Sequence, residues 1–280
     1  MAIRRWEVRQ RLKFIENRLF WEGRVNRSDL TDFFEVSAIQ ASGDIARYQE
    51  LAPLNVAYDA SRKCYIPTPE FSPILVNPDA ESYLAQLVEI SKGDGGPVIS
   101  VVETPQRCID PNVLRKVLAV MRESLDIQLM YQSMSRPRPT WRWITPHALS
   151  SDGRRWHIRA FCHTDGMFKD FLLARIIGLG DTREGSLTSI ADIKWNSFVD
   201  VIIAPHPGLS PEQKDVIECD YGMAGGKRTI SVREALLFYF IKNLGLDCTN
   251  AGKPEEQQLT IVNGAEIDRI LSGGASRATD

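Results

Sequence analysis

The stretch from Met130 to Ile176 limits the possible folds of this chain more tightly than any other. Short apolar and aromatic runs alternate there with turn signals: Arg136-Pro137-Arg138-Pro139, Ser151-Asp152-Gly153 and Thr164-Asp165-Gly166. Runs of this length between such breakers predict a compact antiparallel sheet or small barrel. From Tyr131 to Arg175 there are eight Lys/Arg against three Asp/Glu, in a chain whose formal net charge is only -2. An all-β unit with clustered Arg, Tyr, Trp and His suits an anionic, aromatic ligand such as a nucleotide or a single strand.

Upstream, the pattern changes to helices. Residues 3–22 space Trp6, Leu12, Phe14, Ile15, Leu19 and Phe20 among charges, an amphipathic helix ended by Gly23. A second helix starts at Asn26 and buries Leu30, Phe33 and Phe34. Ser37-Ala38-Ile39-Gln40 reads as a capping box, with Ser37 satisfying the Gln40 amide and Gln40 reaching back. The helix it opens runs to about Leu51, closes before Pro53, and buries Ala38, Ala41, Ile45 and Tyr48. Its other face carries Gln40, Ser42, Gly43 and Arg47, groups small or polar enough to approach a major groove. Val56-Ala57-Tyr58 and Cys64-Tyr65-Ile66 then flank a tip carrying Arg62 and Lys63, a hairpin placed like the wing of a winged helix. Residues 1–68 therefore read as a winged helix-turn-helix, with a structural helical domain as the plain alternative.

Residues 69–108 read as a linker with one short helix. Pro67, Pro69, Pro73 and Pro78 punctuate its start, residues 79–91 are amphipathic, and Gly93–Pro97 breaks them before a strand at Val98–Val102. Asp110-Pro111 opens a helix whose stripe is Val113, Leu114, Val117, Leu118 and Met121, leading into a first barrel strand, Ile127–Tyr131. The barrel unit is placed at 109–200. Beyond it, Val201–Ala204 is a strand, and a short helix runs from Ser210 to about Glu218. Ser231-Val232-Arg233-Glu234 reads as a capping box for an enclosed helix rich in Leu236, Phe238, Tyr239 and Ile241. This makes 201–280 a C-terminal α+β extension with a disordered tail after Ser272. The fold class is thus α+β multidomain.

The middle segment resembles the WYL domain, a small Sm-like β-barrel of bacterial transcription regulators. Trp156-His157-Ile158 stands where that family has its Trp-Tyr-Leu triplet. Met130-Tyr131-Gln132-Ser133, Pro146-His147-Ala148-Leu149, Arg159-Ala160-Phe161 and Phe171–Ile176 follow the family's order and spacing. The resemblance implies a winged helix before the barrel and a C-terminal extension used in dimer contacts. The whole arrangement is similar to repressors associated with anti-phage defence operons of the BREX and CBASS type. It also implies that Tyr131, Ser133, His147, Arg159, Phe171 and Arg175 line an effector pocket. Their chemistry suits a nucleic-acid fragment: two guanidiniums for phosphates, rings for stacking, and Ser133 and His147 for hydrogen bonds. Each has a plainer reading. A lone barrel Arg is ordinarily a salt-bridge partner or a solvated edge residue, a His after Pro146 a surface or capping group, and Trp156 a core ring.

Other classes find little support. The chain has no run of 18 apolar residues, and its charged N-terminus lacks the apolar core of a signal peptide. Five scattered cysteines, none closer than twenty-nine residues, fit buried thiols in a reducing cytoplasm rather than zinc or disulfides. No phosphate loop or nucleophile motif occurs, and the four histidines do not fall at metal-ligand spacings, so neither catalysis nor a cofactor is expected. The expected partners are double-stranded DNA carrying an inverted repeat, a second copy of the chain, and a nucleotide or single-stranded effector. Ser37, Gln40, Ser42 and Arg47 would read bases, with Arg62 and Lys63 on phosphates or the minor groove. The rival class is a nucleic-acid-binding accessory module that recruits single strands to a partner enzyme.

Overall fold

The computed structural model describes residues 2–90, 99–102, 105, 107–185, 191–246 and 253–273. The chain forms two compact units that divide between Glu103 and Thr104.

The first unit contains α1 (Ala2–Glu22), α2 (Arg27–Phe34), α3 (Ala38–Leu51), the hairpin β1 (Val56–Asp59) and β2 (Cys64–Pro67), and α4 (Ala80–Ile90). Gly23, at φ +66°, stops α1 in a conformation a side chain would resist. A reciprocal capping box sits at α2: Asn26 Oδ1 accepts the Ser28 and Asp29 amides, and Asp29 Oδ2 accepts the Asn26 amide at 2.7 Å. At α3, Ser37 Oγ accepts the Gln40 amide at 3.2 Å, the forward half of the expected box. Leu12, Ile15, Leu19, Leu30, Ala41, Ile45, Tyr48 and Val56 meet in one core. Trp6, Phe20, Phe33 and Ala38, expected on buried faces, are exposed; Phe33 instead stacks on Phe14 with ring centroids 4.7 Å apart.

The proline-punctuated stretch is no free linker. The Glu16 carboxylate, wholly buried, accepts the Tyr48 hydroxyl at 2.9 Å and the amides of Ile74, Leu75 and Val76 at 3.0, 2.7 and 2.8 Å. Asn55 bonds the Ser72 backbone through both its carbonyl and its amide. Tyr83 of α4 stacks on Trp21 at 4.6 Å. Prolines remove backbone donors, and here the three amides that follow Pro73 are claimed by a carboxylate on α1. The predicted strand at Val98–Val102 is not formed at 99–102, and Val98 lies outside the described residues, as does Gly93–Pro97.

The second unit begins with α5 (Pro111–Arg122), followed by β3 (Leu125–Tyr131), β4 (Thr140–Ser151), β5 (Trp156–Cys162), β6 (Met167–Leu172) and β7 (Ile176–Glu184). All pairings are antiparallel, in the order β6-β5-β4-β3-β7. A single 3-10 turn, Leu173–Arg175, joins the two outermost strands, so the sheet must curl to bring its edges within one turn of each other. Twelve-residue β4 makes that bend with a register shift between Pro146 and Ala148. Val113, Val117 and Val120 of α5 pack into the curl against Ile127, Leu129, Ile144, Ile158 and Phe171. The buried stripe takes Val120 rather than Leu118, which is exposed, because the i, i+4, i+7 series from Val113 sets the inward face. Trp156, expected in the core, is 51% exposed.

The same unit continues through α6 (Ile193–Asn196), β8 (Phe198–Pro205), α7 (Pro211–Asp220), β9 (Arg228–Arg233), α8 (Leu237–Asn243), β10 (Leu259–Ile261) and α9 (Gly264–Gly273). Its sheet has the order β10-β8-β9, with β8 starting at Phe198 and so ahead of the expected Val201. Val201, Ile203, Leu237, Ile241, Leu259 and Ile267 form its core. Ser231 does not open a helix. It pairs with Asp200 inside β9, and α8 starts at Leu237 after a 3-10 turn, Glu234–Leu236. The four-residue motif is a local preference, and strand pairing that buries Val199 and Val201 outweighs it. Of the expected disordered tail after Ser272, residues 274–280 lie outside the described residues, whereas its first residue, Gly273, ends α9.

Candidate nucleic-acid interface and effector pocket

The winged helix presents α3 as its outward element. Ala41, Asp44, Ile45 and Tyr48 anchor one side, so Ser37, Gln40, Gly43 and Arg47 face solvent on the other. Asp44 is held from beneath by Arg11 of α1, Nε to Oδ2 at 2.5 Å, both side chains almost fully buried. That pair fixes the roll of α3 on α1 and thereby the direction of the exposed face. Ser42 is half-buried, and its hydroxyl donates back to the Ala38 carbonyl at 2.9 Å. Gly43 leaves open space, with nothing within 4 Å of where a Cβ would stand. Ile39, 87% exposed, extends the same face. At the wing, Asp59 Oδ1 accepts the Ser61 and Arg62 amides and closes the tip, while Lys63 sits at φ +54°. Arg62 points outward, tethered by a 3.7 Å approach to Asp59. All six residues expected to contact DNA therefore lie on one helix with its cap and on one wing tip of the same unit.

The pocket residues of the second unit are placed differently. Tyr131 and Phe171 are buried in the barrel core, edge to face at 5.1 Å, and the Leu172 amide donates to the Tyr131 hydroxyl at 3.0 Å. Ser133 is buried, with its hydroxyl 2.8 Å from that of Ser135. Arg175, half-buried, closes the 3-10 turn, and its carbonyl accepts the Gln132 amide at 3.1 Å. Arg159 is buried and doubly neutralised. Its Nε and Nη2 donate to the two oxygens of Asp192 at 2.7 and 3.1 Å, and Nη1 donates to Asp170 Oδ1 at 3.2 Å. His147 reaches the same Asp192, Nε2 to Oδ2 at 3.0 Å, leaving its buried Nδ1 without a partner among the described residues. The fold thus brings Arg159 and His147 together on one carboxylate and Tyr131 with Phe171 in the core, leaving Ser133 and Arg175 with neither pair.

Sequence reasoning missed the carboxylates and what lies behind them. Asp170 stands directly opposite Arg159 in the β5–β6 register, a pairing that a strand alignment would have revealed. Asp192 lies thirty-three residues from Arg159 and carries no local signal. Burial opposes its charge, but hydrogen bonds from His147 and Arg159 and the guanidinium charge outweigh it, holding the carboxyl well below the usual range. Tyr239 of α8 donates its hydroxyl to Asp170 Oδ2 at 3.2 Å; burial, then the Asp170 charge, push the phenol up. The same ring stacks on His157 at 5.0 Å. Burial lowers the His157 pKa, so this imidazole is held neutral, and its buried Nδ1 has no partner among the described residues. Asn243 adds a bond to the Asp152 carbonyl. The barrel site therefore abuts α8 of the C-terminal sheet region through buried polar groups.

Three segments of the chain match known domain families. Residues 7–89 match the winged helix-turn-helix domain of the BrxR transcriptional regulator, residues 112–179 the WYL domain, and residues 198–267 the C-terminal dimerization domain of the BrxR transcriptional regulator. The chain is also similar over most of its length to curated proteins. It is 39% identical over 278 residues to the DNA-binding transcriptional repressor CapW of Escherichia coli (strain KTE188), covering 95% of this chain and 93% of that one. The CapW repressor of Stenotrophomonas maltophilia is 38% identical over 272 residues, covering 94% and 91%. That of Pseudomonas aeruginosa is 37% identical over 278 residues, covering 95% and 93%.

Proposed function

The chain belongs to the family of CapW transcriptional repressors, and from that footing we propose that it is a DNA-binding repressor acting as a homodimer on an inverted-repeat operator. The observation that carries the reading is the exposed face of α3, with Gln40, Gly43 and Arg47 turned outward from a helix whose opposite side is fixed by the buried Arg11–Asp44 pair. Such a face can enter a major groove, where the Gln40 amide and Arg47 guanidinium match base-edge donors and acceptors. Ser37, at the N-cap, is offered to the same bases, and Arg62 and Lys63, at the wing, are suited to phosphate or minor-groove contacts. The match of residues 198–267 to a dimerization domain supports two chains per site, one for each half of the repeat.

The finer reading is that the operator lies before a phage-defence operon and includes the repressor's own promoter. A nucleotide or single-stranded nucleic acid bound in the barrel relieves repression. Arg159 and Arg175 are the groups suited to its phosphates, since guanidinium donors make charge-assisted bonds to phosphate oxygens, and Ser133 and His147 are suited to hydrogen-bond the rest of it. This ligand acts only if it prefers the conformer that releases DNA, because equal affinity for both conformers shifts nothing.

The test is anisotropy at physiological salt, using labelled duplex from immediately upstream of the coding region against a scrambled duplex of equal length. Binding of two chains per site with about a thousandfold preference over the scrambled duplex is expected. Equal, weak binding to both, with a steep salt dependence, removes the repressor reading and leaves a module that binds nucleic acid without regard to sequence.

A further inference from the structure

The buried guanidinium that suits a ligand phosphate is already occupied, and by groups that lead directly to the C-terminal sheet region. Asp192 grips Arg159 with both oxygens, in the fork geometry that a phosphate would use. Its side chain is 1% exposed, so water does not share in neutralising the pair. The His147 imidazole completes the cradle by sharing Asp192 Oδ2 with Arg159 Nε. Its Nδ1, without a partner among the described residues, marks unused hydrogen-bonding capacity at the site.

Asp192 also anchors the segment that enters the C-terminal sheet. Its Oδ1 accepts the Trp195 amide at 3.2 Å and its carbonyl accepts the Asn196 side chain at 3.0 Å. Arg233 of β9 donates Nη1 to the Trp195 carbonyl at 2.5 Å and lies over the Trp195 and Phe198 rings at 4.9 and 4.7 Å. The Glu234 amide donates to the Ser197 carbonyl at 3.0 Å, tying this segment to the turn that leads into α8. From α8, Tyr239 returns to Asp170, the second carboxylate on Arg159. Both anions that satisfy Arg159 are therefore mechanically joined to the region that matches a dimerization domain.

We propose that Asp192 is a built-in stand-in for the ligand's phosphate: a phosphate-bearing ligand enters by taking Arg159 and His147 from Asp192, and the released carboxylate frees residues 192–198 at the root of β8. This rests on the reading of the barrel as an effector pocket and names how that pocket is coupled to the dimer. The exchange is nearly balanced in kind, one oxyanion replacing another on the same guanidinium. The work it does comes from the contacts that Asp192 alone makes onward, to Trp195 and through it to Arg233. Bond counting inside the pocket stays constant while the segment beyond it loses its anchor.

The test uses full-length dimer and two probes, inorganic pyrophosphate and a 5′-phosphorylated oligothymidylate about four nucleotides long, the span of a small single-strand site, by titration calorimetry. Asp192→Asn keeps the side-chain volume and an oxygen for the Trp195 amide but gives up the charge that competes for Arg159. It is expected to bind the oligothymidylate about tenfold more tightly than wild type. A response to pyrophosphate as well assigns the recognition to phosphate alone, whereas a response confined to the oligothymidylate assigns it to phosphate together with the bases. If wild type binds a probe and Asp192→Asn binds it no more tightly, the stand-in role of Asp192 is wrong while the pocket survives. If neither protein binds either probe, both the pocket and the inference fall. Should Asp192→Asn not fold, hydrogen exchange on wild type decides instead: the probe should speed exchange of the Trp195 and Asn196 amides, and unchanged protection overturns the proposal.

Discussion

The two candidate surfaces handle charge in opposite ways. In the winged helix, the buried charges belong to the scaffold. Arg11 pairs with Asp44 beneath α3, and Glu16 gathers three backbone amides and a hydroxyl, so that Gln40 and Arg47 stay exposed for an outside partner. In the barrel, Asp126 and Arg142 are likewise buried in the scaffold, but buried charges also form the candidate site itself: Arg159 with Asp170 and Asp192, and His147 on the same Asp192. A surface that reads a large, hydrated polyanion needs accessible donors on a rigid base. A pocket that discriminates small anions must be dry, and a dry guanidinium needs a counter-ion whenever its ligand is absent. On the proposed reading, coupling therefore belongs to the barrel. Emptying or filling a buried ion cluster changes its neighbours, whereas exposed side chains meet DNA without changing what holds them.

Substitutions can overturn this contrast. The largest effect is expected for Arg159→Leu, which strands two buried carboxylates and should lower stability of the second unit by about 3–5 kcal/mol in urea unfolding. A loss below about 1 kcal/mol would mean that water or movement already relieves the cluster. Next is Glu16→Ala, which orphans the amides of Ile74, Leu75 and Val76. It should cost about 2–4 kcal/mol and expose residues 71–78 to protease, because an unsatisfied buried donor costs about 1–3 kcal/mol and water can reach these three part-buried amides to recover some of the loss. Arg47→Ala should leave stability within about 0.5 kcal/mol. The same change should weaken operator binding by about 1–3 kcal/mol and scrambled duplex far less, as anisotropy would show.

Smaller still is Gly43→Ala, where open space around the missing Cβ allows a gain of up to about 1 kcal/mol in helix stability. A simultaneous loss of operator affinity would place DNA against that backbone, and unchanged affinity would remove Gly43 from the interface. The smallest effect concerns pH. His157 has a folded pKa below its ordinary 6.5, so the unfolded chain binds more protons as the pH falls and stability declines once it drops through that value. Asp192, also depressed, adds a separate decline beginning below its ordinary 3.8. His157→Phe keeps a ring against Tyr239 and should abolish the first decline while leaving the second, as measured by thermal unfolding from about pH 7 to about pH 3.

Most of the architecture was legible in the chain. The wing hairpin, the Ser37 cap, the Asp110-Pro111 helix start and the succession of barrel strands follow from turn residues, caps and strand period. The failures share a cause. Ser231–Glu234 has the letters of a helix start, and pairing with β8 overrides them. The prolines after Pro67 look like a spacer until Glu16, far away in sequence, claims the amides between them. Trp156 has the bulk of a core residue, yet at the start of β5 it stays outside.

The order of parts is written in the chain: a winged-helix unit with its exposed polar face, a cation-rich barrel, and an α+β extension. Helix period, strand period and caps are short-range, so they survive in a one-dimensional reading. Which charges stay accessible is settled by the folded arrangement instead. Arg47 and Arg159 are the same residue type, and nothing near either in the chain separates them. Arg47 meets solvent because Asp44 and Tyr48 turn α3 inward on their side. Arg159 is spoken for because Asp170 arrives by strand register and Asp192 by the return of the chain. The energy of a charge depends on burial and on partners brought from a distance, and both are properties of the fold.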